Sequence, residues 1–219
     1  MLIMFDCDGV LVDSEFLGAR VFADHLAGFG VNLSASECEQ KFRGQTMDYC
    51  FKLLQGEYPG KLPGDFLDSL ATATTEAFEK ELRAIAGIEQ VIQWLKMRGM
   101  EFCVASNGSL NKVRHSLRVT GLFDYFGEHC FSVEQVKQGK PAPDLFLFAA
   151  NTMGYTPAQT LVVEDSLAGV TAAVRAGMKV LRYGSPLSIE GVAIDSFAEM
   201  SALPNLIQDL LPSPHPRGG

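Results

Sequence analysis

Leu2-Ile3-Met4-Phe5-Asp6-Cys7-Asp8-Gly9 sets an apolar run directly against two carboxylates one residue apart and a glycine. A short continuous apolar run of this kind fits a strand buried on both faces of a parallel sheet. Phe102 to Ala105, Leu161 to Val163 and Lys179 to Tyr183 read the same way. The segments between the later runs carry helix punctuation. Ser109 is placed to cap a helix running to about Thr120, with Gly121 past its end. Pro143 opens a helix to Met153 that stops at Gly154, and Ser166 caps one to Ala176 that stops at Gly177. Strands alternating with helices predict an α/β fold with a doubly wound parallel sheet.

Residues 15–83 read differently. Helical periodicity runs throughout, through Phe16, Val21, Phe22, His25 and Leu26, then Phe42, Met47, Phe51 and Leu54, then Phe66, Leu70, Ala73 and Ala77. Breaks fall at Gly28–Asn32, Gly44 and Tyr58–Gly64, and no strand is expected. An all-helical block between the first and second strands is expected to be an inserted cap on an α/β core made of 1–14 and 84–219. The tail from Pro212 to Gly219, rich in Pro and Gly, is expected to be disordered.

The chain has 219 residues, 47% of them apolar, enough for one medium α/β domain or for one carrying a smaller insertion. A net charge of −8 disfavours nucleic acid and membrane surfaces, whose phosphates would be repelled overall. A small phosphorylated metabolite stays within reach, because one local cation outweighs a diffuse surface charge. The cysteines Cys7, Cys38, Cys50, Cys103 and Cys130 are odd in number and scattered, as expected of reduced, buried thiols. With no basic leader and no apolar run of the roughly 18 residues a membrane span needs, the expectation is a cytoplasmic protein, monomeric and with no membrane or nucleic-acid partner.

In an open parallel sheet the binding crevice lies beyond the carboxyl ends of the strands. Three apolar strands here end in polar groups: Asp6-Cys7-Asp8-Gly9, Ser106-Asn107-Gly108 and Glu164-Asp165-Ser166. Lys140 precedes a helix in Gly139-Lys140-Pro141-Ala142-Pro143. Asp6 and Asp8 with Asp165 offer the hard oxygen ligands that suit Mg²⁺, and Glu164 either joins them or stands behind them. A phosphoryl group beside that metal would meet Asp6, which can attack phosphorus to form an aspartyl-phosphate. Asp8 is placed to protonate the leaving oxygen and then to deprotonate water. Ser106 and the backbone N–H groups of Asn107 and Gly108 can hold phosphate oxygens, while Lys140 neutralises charge on phosphate and on Asp6. The side chain of Asn107 either caps the helix or touches substrate. Alternation turns Cys7 away from the crevice, as a packed thiol, and His115, two turns into the helix after Ser106, is expected at the surface.

These segments, in this order, resemble the haloacid dehalogenase-like (HAD) hydrolase superfamily, in the branch with a small helical cap that includes β-phosphoglucomutase and sugar-phosphate phosphatases. The resemblance spans Leu2 to about Tyr183. It implies Asp6 as nucleophile, Asp8 as general acid/base and, through its backbone carbonyl, as a Mg²⁺ ligand, with Asp165 and Glu164 completing the metal set. Phe-Asp-Cys-Asp-Gly-Val-Leu-Val-Asp-Ser-Glu together with Val-Ala-Ser-Asn-Gly-Ser is most similar to bacterial phosphatases acting on 6-phosphogluconate and related sugar phosphates. Arg43, in Arg43-Gly44-Gln45-Thr46, resembles a cap loop that meets substrate, and Glu15 at the first hinge is a second candidate contact. Related mutases tend to carry histidine where Gly18 stands and a second basic residue where Met47 stands. Both departures point to water rather than sugar as the phosphoryl acceptor.

Other motifs fail. Gly28-Phe29-Gly30 lacks the third glycine of a dinucleotide site, and Gly139-Lys140 is followed by proline rather than the Ser/Thr of a P-loop. A sugar-phosphate mutase remains the nearest alternative. A non-catalytic binding module on the same fold is the remote one, since every residue type the chemistry needs is present.

Overall fold

The computed structural model describes residues 1–42, 47–189 and 192–211. Arg43, and the tail expected to be disordered, lie outside these residues. The chain divides into two compact units: Met1–Val12 with the chain from Ala84 onward, and Asp13–Arg83.

Strand β1 (Leu2–Phe5) leads into the helices of the second unit, α1 (Ser14–Gly28), α2 (Ala35–Phe42), α3 (Met47–Glu57) and α4 (Phe66–Glu81). The chain returns through α5 (Ile88–Met97) to β2 (Glu101–Ser106), α6 (Leu110–Val119), α7 (Phe123–Phe126) and β3 (Cys130–Ser132). There follow α8 (Asp144–Thr152), β4 (Thr160–Glu164), α9 (Leu167–Arg175) and β5 (Lys179–Tyr183). An antiparallel pair, β6 (Leu187–Ile189) and β7 (Val192–Ile194), precedes β8 (Ser196–Phe197) and α10 (Leu203–Leu210).

Six strands form one parallel sheet in the order β3-β2-β1-β4-β5-β8. From β1 the chain winds outward one way through β2 and β3, and the other way through β4, β5 and β8. The reversal falls between β1 and β4, where a doubly wound sheet opens its crevice. Phe5 pairs with Val104 on one side and Val163 on the other, so the next residues, Asp6, Ala105 and Glu164, stand at one level. Asp6 N–H still donates to Val163 O at 3.0 Å, which fixes the level of the carboxylate that follows β1.

The centre of the sheet is apolar on both faces. Leu2, Met4, Cys103, Ala105 and Val162 pack with Leu145, Phe146 and Ala149 of α8 and Ala172 and Ala173 of α9. Each large side chain buried this way contributes about 1.5–3 kcal/mol, against about 0–1 kcal/mol for an exposed ion pair. The platform under the strand ends is therefore set by packing, and its polar edge is free to serve chemistry. The caps read from the sequence are formed: Ser109 Oγ accepts from Lys112 N–H, and Ser166 Oγ from Gly169 N–H.

Among its described residues the second unit is wholly helical. Fully buried Phe66 is surrounded by the rings of Phe22, Phe29, Phe51 and His25, with Phe51 stacked on it at 5.7 Å between centroids. Two residues counted in the apolar periodicity lie outside this core: Phe16 is 63% exposed and Met47 47%. The buried stripe of α1 runs through Leu17, Val21, Phe22 and Leu26, and Phe16 sits one residue, about 100° of helix rotation, away from Leu17. Among the described residues no helix is long and apolar enough to cross a membrane.

Candidate active site

Lys140 is the hub of the sheet's carboxyl edge. Its Nζ donates to Asp6 Oδ1 at 2.6 Å and to Glu164 Oε1 at 2.7 Å, and the side chains of Lys140, Asp6 and Glu164 are 3%, 11% and 1% exposed. The ammonium also lies 4.8 Å from the ring centroid of fully buried Phe146. Burial lowers the Lys140 pKa, but Asp6 and Glu164 more than offset it and hold the group above its ordinary value. Burial is the largest influence on Asp6 and raises it; Lys140 pulls down, Glu164 adds to the rise, and the carboxyl is pushed up to about 7. Lys140 therefore does not offset the cost of burying the charged Asp6 carboxylate beside Glu164.

Each member of the hub is held from behind. The Asn107 carboxamide grips the backbone of Lys140 reciprocally: Lys140 N–H donates to Oδ1 at 2.9 Å, and Nδ2 donates to Lys140 O at 3.0 Å. Glu164 Oε2 accepts from Ser166 N–H at 2.8 Å and from Ser166 Oγ at 2.9 Å, so the residue that caps α9 also clamps the carboxylate. Glu164 lies against the first turn of α9 at a point where only glycine leaves room. A Cβ on Gly169 would stand 1.7 Å from Glu164 Oε1. Gly169→Ala is accordingly expected to destabilise the protein by about 1–3 kcal/mol through overpacking, although alanine in a helix interior ordinarily gains up to about 1 kcal/mol over glycine. The overlap wins because its target is a clamped, buried carboxylate. A urea denaturation midpoint at or above wild type would contradict this.

Asp165 closes the other side. Gly9 has φ +80°, and a Cβ there would stand 2.4 Å from Asp165 Oδ2, so glycine serves both the turn and the close approach. Asp6, Glu164 and Asp165 each present a carboxylate oxygen within 4.8 Å of the others. A set of hard anionic oxygens with a nucleophile candidate pushed up by burial fits a divalent cation such as Mg²⁺.

Several expectations are sharpened or changed. The Gly108 N–H, one of the groups expected to meet a phosphate oxygen, donates to Ser106 Oγ at 3.0 Å, and Ser106 itself is buried. Asn107, left open between cap and substrate contact, spends its side chain on Lys140. Cys7 is buried, and burial first, then the negative charge of Asp8 and Asp6, pushes its thiol well above the ordinary range, as an inert packed group requires. His115 departs from the surface position expected: it is half-buried, and its Nε2 is buried without a hydrogen-bond partner among the described residues. The face of α6 that carries it lies between Val113 and Leu117, which are core. Glu15 occupies the first turn of α1 in the second unit and is exposed. Arg43 lies outside the described residues.

The sequence reading missed Lys112, whose Nζ donates to Asp8 Oδ2 at 2.8 Å. A signal was available. Lys112 is the third residue of a helix that starts just after Ser106, and side chains in a first turn lean back toward the helix N-terminus, here toward the strand ends.

A parallel α/β sheet that gathers two strand-end carboxylates, a loop aspartate and a buried lysine at its switch point is the architecture of a hydrolase working at an acidic centre. The haloacid dehalogenase-like hydrolase family matches residues 1–177, and the chain belongs to it. It is 29% identical over 208 residues to the 6-phosphogluconate phosphatase of Escherichia coli strain K12, covering 93% of each chain. It is 28% identical over 186 residues to hexitol phosphatase A of the same organism, covering 84% of this chain and 82% of that one. Among solved structures, a HAD family hydrolase from Deinococcus radiodurans R1, with bound phosphate and sodium, shares 31% identity at a TM-score of 0.84, with 95% of both chains covered.

Proposed function

We propose that this protein is a Mg²⁺-dependent phosphatase that hydrolyses a small sugar phosphate or sugar-acid phosphate through an aspartyl-phosphate on Asp6. The observation that carries the reading is the buried Lys140 bridging Asp6 and Glu164, with Asp165 within ligand reach. The substrate class is supported by relatives that are phosphatases of 6-phosphogluconate and hexitol phosphates.

Asp6, the backbone carbonyl of Asp8 and Asp165 are the groups that would hold Mg²⁺, which when bound draws negative charge off the phosphoryl oxygens. Glu164, whose oxygens already accept from Lys140 and Ser166, is assigned to holding Lys140. In the first half-reaction an Asp6 oxygen attacks phosphorus as the ester bond breaks, and protonated Asp8 gives its proton to the leaving oxygen. In the second, Asp8 takes a proton from water, whose oxygen bonds to phosphorus as the bond to Asp6 breaks. Phosphate leaves, and both carboxyl groups return to their starting states. Ser106 and Lys140 supply the hydrogen bond and the charge that steady the phosphoryl group. Glu15 and Arg43 are assigned to selecting the leaving moiety, and the chain is proposed to act as a cytoplasmic monomer.

The test is a panel of phosphorylated metabolites, including 6-phosphogluconate, hexose and hexitol phosphates and phosphoglycolate, assayed with Mg²⁺. Phosphate release from a sugar or sugar-acid phosphate is expected, falling at least about 100-fold in EDTA and returning with Mg²⁺. Isomer formation in place of phosphate release would move the protein to the mutases, against Gly18 and Met47. No turnover anywhere on the panel, or turnover indifferent to EDTA, would remove the proposal.

A further inference from the structure

Asp8 needs an orientation that β1 does not give it. It lies two residues past the strand, in a turn closed by the Gly9 N–H donating to Val12 O at 2.9 Å, and its side chain is 26% exposed.

Lys112 is built to hold it. The first turn of α6 is pinned at three places: Lys112 N–H donates to Ser109 Oγ at 3.3 Å, Leu110 N–H donates to Glu134 Oε2 at 3.0 Å, and Val113 is buried. From this fixed base the ammonium reaches Asp8 Oδ2 at 2.8 Å, across a sequence separation of 104 residues. The Lys112 side chain is 45% exposed, and an ion pair this open to water contributes little to folding stability. What the contact does is fix a direction.

Resting on the acid/base reading of Asp8, we propose that Lys112 is a positioning residue for the proton transfers of the reaction, holding the Asp8 carboxyl group toward the leaving oxygen and then toward the attacking water. The proton itself travels between Asp8 and substrate or water. Lys112 keeps its own throughout.

The experiment compares kcat/KM on two esters, the best alkyl phosphate from the panel and p-nitrophenyl phosphate, for wild type, Lys112→Met, Lys112→Arg and Asp8→Asn. An alkoxide needs a proton to leave, whereas p-nitrophenolate departs without one, so loss of acid positioning falls on the alkyl ester alone. Lys112→Met is expected to lower kcat/KM for the alkyl ester roughly 10- to 100-fold, part of the 10²–10⁴ typical of general acid–base catalysis. The loss on the aryl ester is expected to be at least about tenfold smaller. Lys112→Arg is expected to recover most of the alkyl rate, and thermal melting to be unchanged in both variants. Equal losses on the two esters would overturn the proposal by placing Lys112 on the phosphoryl group itself, and no loss on either would overturn it as well. Asp8→Asn separates the two levels of the argument. If it shows the alkyl-selective loss and Lys112→Met does not, the role of Lys112 alone fails. If it shows no selectivity, the acid/base reading of Asp8 fails, and the Lys112 role with it.

Discussion

Asp6→Asn is expected to reduce turnover by at least about 10⁴-fold, the scale seen when a nucleophile is removed from a catalytic unit, while the fold survives. An amide oxygen does not form the aspartyl-phosphate, and no other described carboxylate stands beside Lys140 after β1. The fold survives for an electrostatic reason. Burial outweighs Lys140 and pushes the Asp6 carboxyl from its ordinary 3.8 up to about 7, so the site already favours a neutral group there. The same imbalance gives the variant a pH signature. In metal-free protein, folding takes up a proton on Asp6 between these two values, so wild-type stability falls as pH rises through them. The amide has no proton to take up. Measured in EDTA, the urea midpoint of Asp6→Asn relative to wild type is therefore expected to be higher at about pH 8 than at about pH 5. Residual turnover above about 1% of wild type would show that Asp6 is not the nucleophile.

The parts of the fold that were legible in the sequence are those that bury most. β1, β2 and β4 are buried on both faces over nearly their whole length, and a strand covered on both sides leaves an unbroken hydrophobic run, whereas β5 buries only Leu181 fully. Caps were legible because Ser109 and Ser166 act within a few residues of themselves. β3 and β8 were not, because strands of three and two residues at the sheet edges, Cys130–Ser132 and Ser196–Phe197, are too short to show any period. They exist through pairing with β2 and β5, a cause that lies in the tertiary structure. The site divides the same way. Residue types at strand ends named Asp6, Asp8, Ser106, Glu164 and Asp165 as candidates, because the fold delivers every strand end to one edge. The contacts among side chains, Lys112 with Asp8 and Asn107 with the Lys140 backbone, join segments that no local pattern connects.

Lys140→Met carries the second large effect, and its pH trend should run opposite to that of Asp6→Asn. Among the described residues Lys140 is the only group that hydrogen-bonds both Asp6 and Glu164, and methionine leaves those two buried carboxylates facing one another across an apolar side chain. Removing one partner from a buried charged set costs about 3–5 kcal/mol, because the charges left behind keep their desolvation penalty and lose their compensation. A proton on Asp6 relieves part of that cost, and Asp6 takes one up readily even with Lys140 present. The deficit is therefore expected to be larger at about pH 8 than at about pH 5, since the charge must be carried unpaired only where the proton has left. Turnover is expected to fall about 10²–10³-fold or more, the effect of losing one preorganised charge at a reacting centre. Urea denaturation at the two pH values in EDTA checks the stability claim, and kcat at saturating substrate and Mg²⁺ checks the other. In one variant a carboxylate that is costly to bury charged is removed, and stability relative to wild type improves as pH rises. In the other the cation is removed from the same edge, and stability relative to wild type worsens as pH rises. A Lys140→Met deficit that stays flat across the range would mean that Asp6 and Glu164 do not share its charge, and the electrostatic account of the site would fall with it.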